Sequence, residues 1–378
     1  MLYFWESVGY VTDTIPALQT AMRRAKGQSK PDGRQDEPST PAGAVTMQTV
    51  ARMAGVSAMT VSRALKSDAA VSRETRDRVL EIVKETGYVP DATARVFATR
   101  RSGFVAALVP SLNNSNFADT VRGMSEVFDV AGLQMLLGDT EYSLSREEDL
   151  VRAFLQRRPE AIVLTGGVHT ARTRTMLARA EIPIVETWDL PKRPLGDVVG
   201  FSNKEAGAAM VRFLHQRGRR CIGFIGGETN GDTRGAERRD GFEQAVMALG
   251  LPPGRIVATG KPPVSMAQGA QALEAMLNTW PEVDAIVCVS DLSAFGVLAE
   301  CQRRGVDIPA RLAIAGFGDF EVARCCHPRL TTIAVDCLGI GRRAAEVALA
   351  ALETRNRSEA RKPETVRIEF RVVARETA

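Results

Sequence analysis

The chain predicts a two-lobed α/β body of parallel sheets, preceded by a small all-α helix-turn-helix domain. Three observations carry this. Strand-like apolar runs alternate with helical stretches from residue 102 to residue 375, short helices with tight glycine turns precede them, and the excess positive charge is confined to those short helices. Of 378 residues, 44% are hydrophobic and 25% charged, the balance of a globular protein rather than a disordered or collagen-like one. Residues 1–44 carry five basic and five acidic side chains, residues 45–101 ten against six, and residues 102–378 thirty-four against thirty-four. The whole net charge of +4 therefore sits on one segment, a pattern suited to a polyanion such as nucleic acid.

Taken in order, residues 1–44 predict an extension without a fold. Leu2-Tyr3-Phe4-Trp5 follows no basic residue, and Glu6 and Asp13 interrupt any signal-peptide core. Lys26–Ala44 has the composition of a flexible tether, and a start codon assigned upstream of the true one would look the same. Residues 45–90 predict three helices: Met47–Met53 after Thr46, Ala58 to about Lys66 after Ser57, and a third from the cap Ser72 to Thr86. Gly55 makes the first turn, where positive φ costs it nothing, and Val79, Ile82 and Val83 form an apolar stripe at helical spacing. Val89-Pro90 stops the helix, and residues 91–101 predict one more short helix, Ala92–Thr99, with a linker.

The body, residues 102–375, predicts strands at Phe104–Val109, Met135–Leu137, Ala161–Leu164, Pro183–Val185, Cys221–Ile225, Ala285–Val289, Leu312–Ala315 and a last region Val366–Val373. Helical stretches fall between them, at about Asp119–Ala131, Arg146–Gln156, Thr173–Ala180, Glu205–Gln216, Arg234–Leu249, Met266–Thr279 and Leu292–Arg304. This spacing gives parallel sheets covered on both faces, and the length divides into two lobes with a cleft at the carboxyl ends of the strands.

Several chemistries are excluded. No run approaches the roughly 20 apolar residues of a membrane span. The six cysteines, Cys221, Cys288, Cys301, Cys325, Cys326 and Cys337, form no CxxC pair and predict buried free thiols in a reducing, cytoplasmic compartment. His169, His215 and His327 have no metal-ligand spacing, no GxSxG elbow occurs, and Gly260-Lys261 lacks the earlier glycine and the following hydroxyl of a phosphate loop, having Arg255 and Pro262 there. Gly316-Phe317-Gly318 and Gly339-Ile340-Gly341 read as tight turns. The expectation is a protein without enzymatic activity, cofactor or metal.

The most informative block is Val50–Leu65. Val50, Ala51, Ala54, Val56, Val61 and Leu65 lock two helices around the glycine turn, leaving Ser57, Ala58, Met59, Thr60, Ser62 and Arg63 outward at a helix N-terminus suited to phosphate. With Val71–Arg76 and Gly87-Tyr88-Val89-Pro90, it resembles the DNA-binding head of the lactose-repressor (LacI) family of bacterial transcription factors, and the resemblance extends over residues 45–375. It implies a periplasmic-binding-protein-like body and a homodimer on palindromic double-stranded DNA, acting as a repressor under allosteric control by a small sugar effector. Ala58, Met59 and Arg63 fall on base-contacting positions; the first two offer only apolar contact, and Arg63 can make a bidentate contact to guanine. Ser57, Thr60, Ser62, Ser72 and Thr75 match phosphate-side positions. Residues 91–99 match the hinge helix that enters the minor groove, with Phe97 where a leucine is usual and Asp91 where asparagine is usual.

In the body, Ser111, Asn116 and Phe117 follow the first strand at the cleft edge, and the resemblance makes Arg238 and Asp291 binders of sugar hydroxyls. Taken alone, Asp291 reads first as a helix N-cap and Arg238 as one of several solvated arginines beside Arg234 and Arg239. Ser290 stands where asparagine is usual. Segments such as Pro110-Ser111-Leu112, Arg122-Gly123, His169-Thr170 and Val199-Gly200-Phe201 resemble the gluconate-repressor branch, implying a sugar acid whose carboxylate Arg238 would meet, with help from His169. Only Ala374–Ala378 follow the last strand region, so no leucine-rich tetramerisation helix is expected. The alternative is a sugar-binding transport or sensory module, which needs an export route and no DNA-binding head.

Overall fold

The computed structural model describes residues 45–65, 70–89, 102–226, 231–357 and 361–378. The readings for residues 1–44 and for the hinge with Phe97 lie outside them. The chain divides into two units between Asp91 and Ala92.

The first unit holds helices α1 (Met47–Ala54), α2 (Ala58–Leu65) and α3 (Arg73–Thr86). Thr46 and Thr49 form a reciprocal cap at the start of α1, and Gly55 ends it at φ +66°. Its amide reaches back to the carbonyls of Ala51 and Arg52, closing the turn that an L side chain would strain. Val50, Ala51, Ala54, Val61, Ala64, Val79 and Ile82 are buried together, so the apolar positions of all three helices form one small core.

In the second unit, one lobe is a six-stranded sheet in the order β11-β5-β4-β3-β1-β2, built from β1 (Phe104–Val109), β2 (Gln134–Asp139), β3 (Ile162–Thr165), β4 (Ile184–Thr187), β5 (Asp197–Gly200) and β11 (Thr365–Arg367). Every pairing is parallel. Phe104-Val-Ala-Ala-Leu-Val109 is a continuous apolar run, and its residues from Val105 onward are buried, as a central strand covered on both faces requires. Helices α4 (Ser115–Val130), α5 (Leu144–Gln156) and α6 (Ala171–Ala180) follow β1, β2 and β3. The other lobe has the parallel order β7-β6-β8-β9, from β6 (Ile222–Gly226), β7 (Ile256–Ala258), β8 (Ala285–Cys288) and β9 (Ala313–Ala315). It carries α7 (Asn203–Gln216), α8 (Thr233–Ala248), α9 (Met266–Thr279), α10 (Asp291–Arg304) and the short α11 (Glu321–Cys325). An antiparallel pair, β10 (Thr332–Val335) with β12 (Phe370–Val373), completes the body, and α12 (Cys337–Asn356) packs along α4.

Two expectations change. Gly339-Ile340-Gly341 is not a turn but the start of the 20-residue α12. Asp336 caps it through the Gly339 amide at 2.8 Å. A Cβ on Gly341 would lie 2.0 Å from the Thr120 carbonyl of α4, and one on Gly123 of α4 would lie 2.2 Å from the Leu338 carbonyl. The glycines mark a close helix–helix contact. The region Val366–Val373 is two strands rather than one, β11 joining the first lobe's sheet and β12 pairing with β10. Cysteines are free among the described residues; Cys288, Cys301 and Cys337 are buried, but Cys325 is exposed.

Candidate functional site

In the first unit α2 buries Val61 and Ala64, which turns its opposite side outward. Ser57, Met59 and Arg63 are exposed on that side, with Ala58, Thr60 and Ser62 half-buried beside them. Met59 is 64% exposed, an apolar side chain held in water by its helix. The Ser57 hydroxyl accepts the Thr60 amide at 3.1 Å, and the Ser72 hydroxyl accepts that of Thr75 at 3.3 Å. Both serines therefore stand at helix N-termini, where amide groups and the macrodipole favour phosphate oxygens. The structure brings Ser57, Ala58, Met59, Thr60, Ser62 and Arg63 onto one short helix and its cap, and places Ser72 and Thr75 at the start of the next.

In the body a cavity of about 50 Å³ lies between the lobes at the carboxyl ends of the strands. Three helices of eight residues or more point their N-termini at it, and their caps, Asn114 of α4, Asp232 of α8 and Ser290 of α10, are in its wall. Of the expected residues, Asn116, Phe117 and Arg238 line it. The Arg238 guanidinium lies over the Phe317 ring, 4.2 Å from its centroid. Its Nη1 donates to Asn203 Oδ1 at 2.7 Å and its Nη2 sits 3.7 Å from Asp232 Oδ2. Its Nε is buried without a hydrogen-bond partner. Burial pulls its pKa down; Asp232 opposes this and Arg234 adds to it.

Ser111 and Asp291 fall outside the cavity wall. The Ser111 hydroxyl accepts the Asn113 amide at 3.2 Å and shapes the loop that presents Asn114 and Asn116. Asp291 is fully buried; its Oδ1 accepts from the Thr332 hydroxyl at 2.6 Å and its Oδ2 from the Phe320 amide at 2.8 Å. Burial raises this carboxyl to about 6 against those two bonds. Asp291 thus fixes Phe320, which does line the cavity. His169 is not in the wall either. Its Nδ1 lies 2.7 Å from Glu147 Oε1 and its Nε2 3.2 Å from Glu186 Oε1. Burial works against its charge, but these two carboxylates hold the imidazolium up to about 9.

The sequence reading missed Arg234, Asp232, Tyr142 and Trp188. Arg234 is buried, its Nη1 donating across the cleft to the Thr165 carbonyl at 3.2 Å. It stacks on the Phe117 and Tyr142 rings at 5.6 and 5.9 Å. No carboxylate lies within 4 Å of it among the described residues. A signal was present: Arg234 stands in the first turn of a helix, where the macrodipole repels cations, one turn before Arg238. Trp188 holds φ +68°, a strained value for a tryptophan, with its Nε1 donating to the Thr120 hydroxyl at 3.1 Å. Two guanidiniums, one carboxylate and three helix N-termini give the wall a positive potential.

A model of the lacI family of bacterial regulatory proteins matches residues 46–91, and one of the periplasmic binding protein-like domain matches residues 211–378. The chain is 38% identical over 320 residues to the HTH-type transcriptional regulator GntR of Pseudomonas aeruginosa, spanning 84% of this chain and 92% of the relative. It is 32% identical to the regulator IdnR of Escherichia coli, spanning 82% and 92%. A solved LacI-family transcriptional regulator from Silicibacter pomeroyi superposes with a TM-score of 0.82 at 32% identity, covering 88% of this chain and 99% of that one. The helical head, the two-lobed body behind it and the extent of these matches lead to one conclusion: the chain belongs to the lacI family of bacterial regulatory proteins, DNA-binding regulators of transcription.

Proposed function

We propose that the chain is a homodimeric, non-enzymatic repressor in the bacterial cytoplasm whose hold on a palindromic operator is set by a sugar acid bound between the lobes. The observation that carries the effector class is the charge of the cavity wall. Arg234 and Arg238 face a single lining carboxylate, Asp232, and the helix N-termini add to the excess. A ligand with one carboxylate balances this wall, whereas a neutral sugar leaves a buried cation uncompensated. The free Nε of Arg238 is a donor for such an oxygen, and Asn116, Asn114 and Ser290 suit hydroxyls. Phe117 and Phe317 supply flat apolar faces. Resemblance to the gluconate-repressor branch points to the same class.

On the DNA side, Arg63 reads a guanine edge while Ala58 and Met59 touch apolar base edges such as a thymine methyl. Ser57, Thr60, Ser62, Ser72 and Thr75 position the phosphate backbone. The two-fold axis of a homodimer matches a palindrome. At about 50 Å³ the cavity holds a few waters, so the lobes part to admit a six-carbon acid. The effector shifts DNA affinity by its preference between the parted and closed arrangements, typically about 1–3 kcal/mol of coupling.

The test is a thermal-melt series with gluconate, its neutral lactone and glucose, since a ligand stabilises the state it binds. Stabilisation by the acid alone supports the reading. Equal stabilisation by the lactone or by glucose overturns it.

A further inference from the structure

One face of the first lobe belongs to neither site. The C-terminal ends of α5, α6 and α12 meet at the amino edge of its sheet around an open groove of about 630 Å³. Arg158, Arg179 and Arg355 stand exposed on its rim, one from each helix end. None of the three guanidiniums has a carboxylate within 4 Å among the described residues. The acids nearby are engaged elsewhere: Glu160 accepts the Gly103 amide at 2.9 Å, and Asp197 accepts from Arg361 at 2.7 Å. Exposed Glu181 lies on the adjoining wall.

The position of this face matters as much as its charge. Gly103, held by Glu160 in the groove wall, is where the chain enters the body from the helical unit. Between Val89 and Ser102 the chain spans no more than about 45 Å even when fully extended. The linker from the helical unit therefore joins the body beside this groove.

We propose that Arg158, Arg179 and Arg355 form an auxiliary surface that contacts the phosphate backbone of duplex DNA flanking the site read by α2, adding affinity without sequence preference. The inference rests on the DNA-binding reading of the head. Cations at helix C-termini complement the macrodipole, which explains why arginines are tolerated there. It does not explain three exposed guanidiniums lacking acid partners around one groove. The carbonyl ends beneath them disfavour a small anion sunk into the groove, whereas phosphates passing over the rim meet the guanidinium tips first.

The experiment compares the full chain with R158A/R179A/R355A and R158K/R179K/R355K on a random-sequence duplex of about 40 base pairs, over a range of salt. Each lost phosphate contact lowers the slope of log affinity against log salt by about 0.9, so the alanine variant should lose up to about three units per chain and at least tenfold in affinity at low salt. The lysine variant should keep most of both. Wild-type protein that binds no duplex refutes the head's assignment. Wild-type binding with an unchanged slope in the alanine variant refutes this proposal alone. A lowered melting temperature with an unchanged slope assigns the arginines to the helix ends and also refutes it. The same holds if inorganic phosphate stabilises the wild type but not the alanine variant while the slope stays equal.

Discussion

Replacing Arg234 with methionine tests the charge argument for the cavity. Methionine keeps an unbranched apolar stem against Phe117 and Tyr142 but removes the guanidinium and its bond to the Thr165 carbonyl at 3.2 Å. With Arg234 gone, the wall keeps one cation, Arg238, against one anion, Asp232. A charge-assisted hydrogen bond contributes about 1.5–3 kcal/mol, so affinity for a sugar acid should fall roughly 10- to 150-fold. Affinity for a neutral polyol should stay within about threefold, because no unpaired carboxylate is involved. Titration calorimetry with gluconate and with its lactone measures both, and Trp188 in the wall offers a fluorescence readout. Equal losses for acid and lactone would mean that Arg234 acts through packing or lobe closure, and the anionic-effector reasoning would fail.

Arg63→Ala should relax base preference at one operator position by about 1–3 kcal/mol, read by binding to a randomised duplex library, with effector affinity unchanged. His169→Asn should remove a pH-dependent contribution to body stability. The folded-state pKa is raised from 6.5 to about 9, so the stabilisation is complete below about 6.5, reaches up to about 3 kcal/mol, and is lost as pH rises through 9. Urea melts at pH 6 and pH 9.5 should thus differ more for wild type than for the variant; equal differences would exclude a charged imidazolium. Gly341→Val places side-chain atoms against the Thr120 carbonyl, where a Cβ alone would lie 2.0 Å away. Backbone cannot rotate away as a side chain can, so a loss of at least about 2 kcal/mol is expected in melts of the body. Wild-type stability in that variant would mean that α4 and α12 do not meet there.

The head was legible because its signals are local. Thr46, Gly55, Ser57 and Ser72 act on residues three or four positions away, and each cap or turn appears where its chemistry demands it. Long apolar runs such as Phe104–Val109 were equally plain. The short β5, β7 and β10 have no counterpart among the predicted strands. Missing α12 had a physical cause. Gly341 answers to α4, more than two hundred residues earlier, and a requirement of that kind leaves no mark in the local pattern. The same holds at the cavity. The resemblance singles out Asp291, yet its oxygens are taken up by Thr332 and Phe320. Arg234 was passed over as one arginine among several, although its place in the first turn of α8 set it apart.

The route of the chain has a consequence for how the body is made. Thr377 donates its hydroxyl to the Ile314 carbonyl at 2.7 Å and receives the Thr331 amide at 2.8 Å, while β11 forms an edge of the opposite lobe's sheet. During synthesis neither half can finish closing until nearly all of the polypeptide has left the ribosome. The head, complete some three hundred residues earlier, is then free to fold alone. A nascent chain stalled after β9 would carry a folded DNA-binding module ahead of an unfinished body.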